Sequence, residues 1–328
     1  MMQGPRRGLV LGAGGFLGAA WSVGALAALQ SATGWNMAEA DRIVGTSAGS
    51  VLAMLLRAGV SVEQLYDAHA RTSAVAGTEV PDAPAMSLCM ELEAEPAAFG
   101  PPRLAMGSVP LLLHAARNPL RVRVGAVCAA LVPRGRRPLT AVGSMISGVT
   151  DGRSWPAGTL IVATNYLTGS RTVFGGAGSP RVAPARAVMA SCAVPGWYEP
   201  VEVRKVPYVD GAVCSPCNVD LLRDAGCDEV YVLAPMASVE PDRPTTALGK
   251  LERWWRRKMT LRTLAEVERL RAAGVDVHLF TPNAEDLTVM GANMMDTGRR
   301  AEVIRCARRN VARQLRDATL PPSLTPAA

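Results

Sequence analysis

The sequence predicts an α/β fold, and three observations predict it. Short aliphatic runs alternate with helical stretches along most of the 328 residues. Twice near the N-terminus such a run leads through a glycine-rich turn straight into a helical pattern: Leu9-Val10-Leu11 before Gly12 to Gly18, and Arg42-Ile43-Val44 before Gly45 to Ser50. Runs this short, joined by helices, suit buried strands of a parallel sheet. Hydrophobic residues make up 49% of the chain and aromatic ones only 5%, so a large core must be built mainly from Ala, Val and Leu.

The elements follow in order. Leu9 to Leu11 reads as a strand, Ala19 to Leu29 as a strongly apolar helix, Ile43-Val44 as a second strand, and Val51 to Leu56 as the helix after it. Ser61 to Arg71 reads as a helix with Ser61 as its cap. Residues 75–150 change character: seven prolines between Pro81 and Pro119 break any long element, and apolar pieces alternate with Arg117, Arg121, Arg123, Arg134, Arg136 and Arg137. This stretch is expected to be a mostly helical insertion or cap, placed either as a lid that meets lipid or as a subdomain with its own core. The alternation then returns. Strands are expected at Thr159 to Thr164, Arg171 to Phe174, Tyr208 to Asp210, Glu229 to Ala234 and Val275 to Thr281. Helices are expected at Pro184 to Cys192, Val219 to Ala225, 245–273 and Gly298 to Arg316. The domain therefore spans 5–317, and the Pro- and Ala-rich residues 318–328 are expected to be a disordered tail.

Composition narrows the function classes. The net charge is +7, and only three of the 35 basic residues are lysines (Lys205, Lys250 and Lys258). An arginine-rich basic surface suits an anionic partner, nucleic acid or an anionic lipid surface. Trp254-Trp255 beside Arg256-Arg257-Lys258 is either an interfacial anchor or a helix with one tryptophan in the core. The seven cysteines are odd in number and scattered, which points to free thiols in the cytoplasm. Cys214-x-x-Cys217 has no second pair, so no metal site is expected. Uninterrupted apolar runs such as Val127 to Val132 are far shorter than the roughly 18 residues of a membrane span. Arg6-Arg7 imitates a twin-arginine export signal, but the glycines at 12, 14, 15 and 18 fit strand, loop and helix better.

The chemistry centres on Gly45-Thr46-Ser47-Ala48-Gly49. A serine at the tip of a strand-to-helix turn, with glycines two residues to either side, is a nucleophile elbow. The backbone at the tip is strained, so Gly45, Ala48 and Gly49 must be small to let the chain reverse. The turn sets Ser47 at a helix N-terminus, where developing negative charge is favoured. The loop from Gly12 to Gly18 fails as a dinucleotide fingerprint: the sixth position from Gly12 is Leu17, and the position five before Gly18 is Ala13. An oxidoreductase reading would rest on this loop alone. Its other use is to present N–H groups of Gly14, Gly15 and Phe16 to an oxyanion. Tyr208-Val209-Asp210-Gly211-Ala212 puts an acid at a strand end beside small residues.

Taken together, the glycine loop, G-T-S-A-G, A-S-C-A-V-P-G-W-Y-E-P-V and D-G-A resemble the patatin-like phospholipase family. The resemblance is good over 8–60 and 184–235, and the stretch 75–150 is not covered by it. It implies a three-layer α/β/α sheet, hydrolysis of lipid esters without a cofactor, Ser47 as nucleophile and Asp210 as base. It also implies Gly14, Gly15 and Phe16 as oxyanion donors, with Gly45, Gly49 and Gly211 as supports. The partners it implies are a lipid ester substrate, phospholipid or neutral, and transient contact with an anionic membrane surface rather than nucleic acid. The protein is then expected in the cytoplasm or peripheral on a membrane. One departure is Leu17, where the family usually has a basic residue, which puts a phosphate head-group preference in doubt. A catalytically weak lipid-binding protein of the same fold is the alternative. Of the three histidines, His69, His114 and His278, the last completes a Ser…Asp…His order. Because it lies inside the apolar run Val277 to Phe280, it is read as a packed strand residue rather than a triad member.

Overall fold

A computed structural model describes residues 4–71, 106–150, 154–240, 242 and 244–317. The expected disordered tail and the first part of the expected insertion, up to residue 105, lie outside the described residues. Five strands form the parallel part of a mixed eight-stranded sheet: β1 (Arg7–Leu11), β2 (Arg42–Thr46), β3 (Thr159–Asn165), β7 (Glu229–Leu233) and β8 (Asp276–Phe280). Their order is β3-β2-β1-β7-β8. Three antiparallel strands complete it: β4 (Arg171–Phe174) and β6 (Val206–Asp210) pair with β3, and β5 (Val201–Val203) pairs with β6.

The register of β3 places the two halves of the site. Its first residues pair with β2, ending at Thr46 opposite Val162. Its last residues pair with β6, with Ala163 opposite Asp210. Ala163 also has Thr172 of β4 beside it, so β2 and β6 must share the other edge of β3. They run towards each other along that edge, and their C-terminal ends meet. Thr46, which precedes the serine turn, is thereby brought to Gly211, which follows Asp210.

Alternation along the strands divides the core into two layers, as a sheet buried on both faces requires. Leu9, Leu11, Ile43, Ile161 and Leu233 face a large cluster with α1 (Gly15–Thr33), α2 (Ala48–Arg57), α3 (Val62–Arg71), α6 (Thr140–Thr150), α7 (Pro184–Cys192) and α10 (Arg300–Asp317). Val10, Val44, Val162, Val230 and Val232 face the other way, towards α8 (Ala247–Ala272) and a 3₁₀ turn at Val219–Leu222. The molecule is a three-layer α/β/α fold. The helix expected at Val219 to Ala225 is this single 3₁₀ turn, and a short helix, α9 (Ala284–Met290), follows β8. Its Asn283 and Asp286 form a reciprocal capping box.

Helix α1 is apolar and long enough, by length and composition, to cross a membrane. In the fold it is a core helix, with most residues from Leu17 to Leu29 buried. Gly24 allows α10 to approach so closely that a Cβ there would strike the Ile304 carbonyl. At 61–64 the predicted cap is present: Ser61 Oγ accepts from Gln64 N at 3.1 Å, and Gln64 Oε1 accepts from Ser61 N at 2.8 Å.

Between 106 and 150 the chain is helical, but it splits. Helices α4 (Val109–Arg117) and α5 (Val124–Leu131) form a small cluster of their own, Leu111, Ala126, Ala129 and Ala130, over Tyr166 and Val209. Ser108 pins it by donating to the Tyr166 carbonyl at 2.6 Å while capping α4. Helix α6 instead buries Val142, Met145 and Ile146 in the main core.

Candidate active site

Ser47 sits between β2 and α2 with φ 53° and ψ −126°. A positive φ is unfavourable for a residue with a side chain, by about 1–3 kcal/mol, and persists only where surroundings enforce it. Here they do. Ser47 N–H donates to Ser191 Oγ at 2.9 Å, and Ser191 Oγ donates to the Val162 carbonyl at 2.6 Å. The Ser47 carbonyl accepts from Ser50 Oγ at 2.6 Å and from Ser50 N at 2.7 Å. The glycines of the motif are required by contact. A Cβ on Gly49 would run into the Leu11 carbonyl, and one on Gly45 would lie 2.6 Å from Ser50 Cα.

Asp210 ends β6 and is 3% exposed; Ser47 is 5% exposed. The carboxylate accepts a hydrogen bond from Ala212 N at 2.8 Å, and the Ser47 side chain beside it also favours its ionised form. Burial raises its pKa from 3.8 to about 6, outweighing the opposite pull of Ser47 and the Ala212 N–H. Gly211 allows the contact, because a Cβ there would meet the Val162 carbonyl and stand 3.1 Å from Thr46 Cγ2.

Beside Ser47 opens a pocket of about 730 Å³, solvent at its mouth included. One wall is a single stripe of α2: Ala48, Val51, Leu52 and Leu55, residues that share a helix face. The opposite walls include Ala19, Leu139 and Val142, so the pocket is almost wholly apolar. Gly15 and Phe16 line it at the N-terminus of α1, where Gly14 is the cap residue. Neighbouring N–H groups are used up: Gly12 and Ala13 donate to the Leu233 and Pro216 carbonyls, and Leu17 to Met294. Those of Gly14, Gly15 and Phe16 donate to no acceptor among the described residues. Leu17, the departure from the family pattern, is wholly buried in the core and is not among the residues lining the pocket.

Three parts of the site escaped sequence reading. Ala48 lines the pocket directly after Ser47, at the N-terminus of α2, and the elbow rule would have pointed to its N–H. A buried polar network anchors the elbow from the far side of the sheet. Asn218 donates to Thr46 Oγ1 at 3.1 Å, Ser215 donates to Glu266 at 2.9 Å, and Val219 N–H donates to the same carboxylate at 3.0 Å. No local motif signals it. The histidine on the pocket wall is His69, from α3. Burial and the nearby Arg300 lower its pKa to about 4, so the ring is neutral at pH 7. His278 lies on β8, stacked on Tyr231 at 4.7 Å between ring centroids, and is not among the residues lining the pocket. Cys192 also lines the pocket, and burial beside Asp210 pushes its thiol up to about 12, so it stays protonated. Among the described residues no cluster of His, Cys, Asp or Glu could hold a metal ion.

No curated protein sequence matches this chain. Among solved structures, the crystal structure of VipD from Legionella pneumophila matches it with a TM-score of 0.44 at 13% identity, covering 95% of this chain and 67% of that one. The sequence profile of patatin-like phospholipases matches residues 9–223, from β1 past Asp210. With the greater part of its length inside that profile, this chain belongs to the patatin-like phospholipase family.

Proposed function

We propose that the protein is a serine-dependent lipid acyl hydrolase that cleaves carboxylic esters of phospholipids or neutral lipids through Ser47 and Asp210. The observation that carries this reading is Ser47, which lines an apolar pocket and interacts through its side chain with the dry, buried carboxylate of Asp210. Asp210 takes the Ser47 proton as Oγ bonds to the ester carbonyl carbon. The tetrahedral oxyanion is held by N–H groups of Gly14, Gly15, Phe16 and Ala48. Its collapse expels the alcohol, which leaves with the proton from Asp210. Water then attacks the acyl-serine and gives a proton to Asp210. The second collapse releases the fatty acid and returns that proton to Ser47. A carboxylate is a weak base for a hydroxyl, and its raised pKa narrows that mismatch. The apolar stripe of α2 takes the acyl chain, and the scattered thiols suit a cytoplasmic enzyme.

The test is labelling by a fluorophosphonate probe together with fatty-acid release from a lipid panel. Wild type is expected to do both, and Ser47→Ala neither, while remaining folded. Hydrolysis by Ser47→Ala at the wild-type rate would end the reading. A wild type that binds lipid but neither labels nor hydrolyses would establish the catalytically weak lipid-binding alternative.

A further inference from the structure

The apolar surface of this protein is not confined to its pocket. On α8 the buried side is formed by Arg256, Thr260, Thr263, Val267 and Leu270. Turned away from it, at helical spacing, are Leu251 (61% exposed), Trp254 (57%), Trp255 (43%), Lys258 and Leu261 (56%). The solvent side of a surface helix is ordinarily its polar side. Here it is apolar, and both tryptophans point outward, so the alternative with one of them in the core does not hold. Lys258 lies over the Trp254 ring at 5.6 Å, with Lys250 and Arg257 also exposed. Glu252, the acid nearest the stripe, is held by Arg253 and Arg256.

A second patch of the same chemistry lies on α4 and α5. Leu113 is 50% exposed, Val124 78%, Leu131 55%, and Leu120, in the link between the two helices, is 100% exposed. Exposed Arg117, Arg121, Arg134 and Arg136 surround them, and residues 106–150 contain no Asp or Glu.

Both patches belong to the end of the sheet where Ser47 opens. Helices α4 and α5 stand on Tyr166 and Gly169, just beyond the C-terminal end of β3. The start of α8 is fastened beyond the end of β7, where Arg256 donates to the Pro235 carbonyl at 2.6 Å; Pro235 in turn packs on Gly14 and Gly18. We propose that the outward stripe of α8 and the Leu120 tip of α4–α5 together dock the protein on a bilayer containing anionic lipid. Tryptophan and leucine enter the head-group boundary, and the arginine and lysine fringe meets the lipid phosphates. Docking would present the pocket to the bilayer, so this inference builds on the proposed lipid substrate. Binding itself needs no catalysis.

The experiment uses Ser47→Ala protein, so that no lipid is consumed, sedimented with vesicles of phosphatidylcholine alone or mixed with phosphatidylglycerol. Binding is expected only to the mixed vesicles, with a blue shift of tryptophan fluorescence and release at high salt. Trp254→Ser with Trp255→Ser, and separately Leu120→Asp, should each weaken binding at least about tenfold. The same changes in the wild-type background should leave hydrolysis of a soluble short-chain ester unchanged, which also verifies their fold. Equal recovery in the supernatant with both vesicle types, or binding indifferent to these substitutions, overturns the docking proposal. So does a dimer that forms with concentration and is lost in the same variants, since it would assign the patches to a second copy. Failure of the hydrolase reading would appear separately, as absent fluorophosphonate labelling of wild type.

Discussion

Ser47 and Asp210 are neighbours held in opposite ways. The serine is fixed at its backbone: two hydroxyls, Ser191 and Ser50, grip its N–H and carbonyl, and the glycines leave no room for another path. The aspartate carboxylate receives one backbone N–H, stands beside the Ser47 side chain and is buried. Hydrogen bonds give the serine its geometry, while burial gives the aspartate its raised proton affinity. Stability is surrendered on the aspartate side and invested in position on the serine side, as expected where strain and perturbed ionisation gather at a functional site.

The largest effect tests the aspartate side. Its folded pKa of about 6 lies above the ordinary 3.8, so the folded protein holds this proton more tightly than the unfolded chain does. The cost to stability is therefore nil below pH 3.8 and grows between 3.8 and 6. Above that it is constant at about 3 kcal/mol, reading each pH unit as 1.4 kcal/mol. Asp210→Asn should lower kcat by about 10²–10⁴-fold, the usual reach of a general base. It should also raise the melting temperature at pH 8 and lose that advantage at pH 4. Wild-type kcat/KM on a soluble ester should fall about tenfold per pH unit below about 6, because only the ionised base is competent. A variant with full activity, or with no gain in stability at pH 8, would break the contrast.

The serine side is tested by Ser191→Ala. This leaves the buried Ser47 N–H without its partner and removes the Ser191 hydroxyl from the Val162 carbonyl, at about 1–3 kcal/mol of stability. The loss should be the same at pH 5 and pH 8, unlike that of the aspartate. Chemical denaturation at the two pH values checks this, and a fall in kcat with little change in KM would mark it as a positioning residue. The smallest effect is expected from His278→Ala. It removes a ring stacked on Tyr231 and should cost about 1 kcal/mol in a denaturation curve while leaving ester hydrolysis unchanged. Loss of activity there would reopen a triad.

The local parts of this molecule were legible because their causes are local. Alternating aliphatic runs foretold the strands, and Ser61 with Gln64 capped a helix where a cap was expected. What proved harder lay in how the elements were covered. Helix α6 belongs to the main core although it follows a proline-broken stretch, because its apolar face meets the pocket side of the sheet. His69 reached the pocket although it sits in an ordinary helical pattern. Its environment comes from other helices, and no residue near it in the chain signals that.

By itself the sequence determined the α/β class, the strained turn at Ser47, the amide-rich loop at Gly14 to Phe16 and the acid at the end of a strand. Each rests on sterics and hydrogen bonding within a few residues. Only the tertiary structure decided that β6 runs head-on into β2, which brings Asp210 to Ser47. Only it decided that Leu17 faces the core and that both tryptophans of α8 face solvent. These depend on which distant segments pair and which side of a helix is covered, because burial is a property of the packed whole rather than of any stretch of chain.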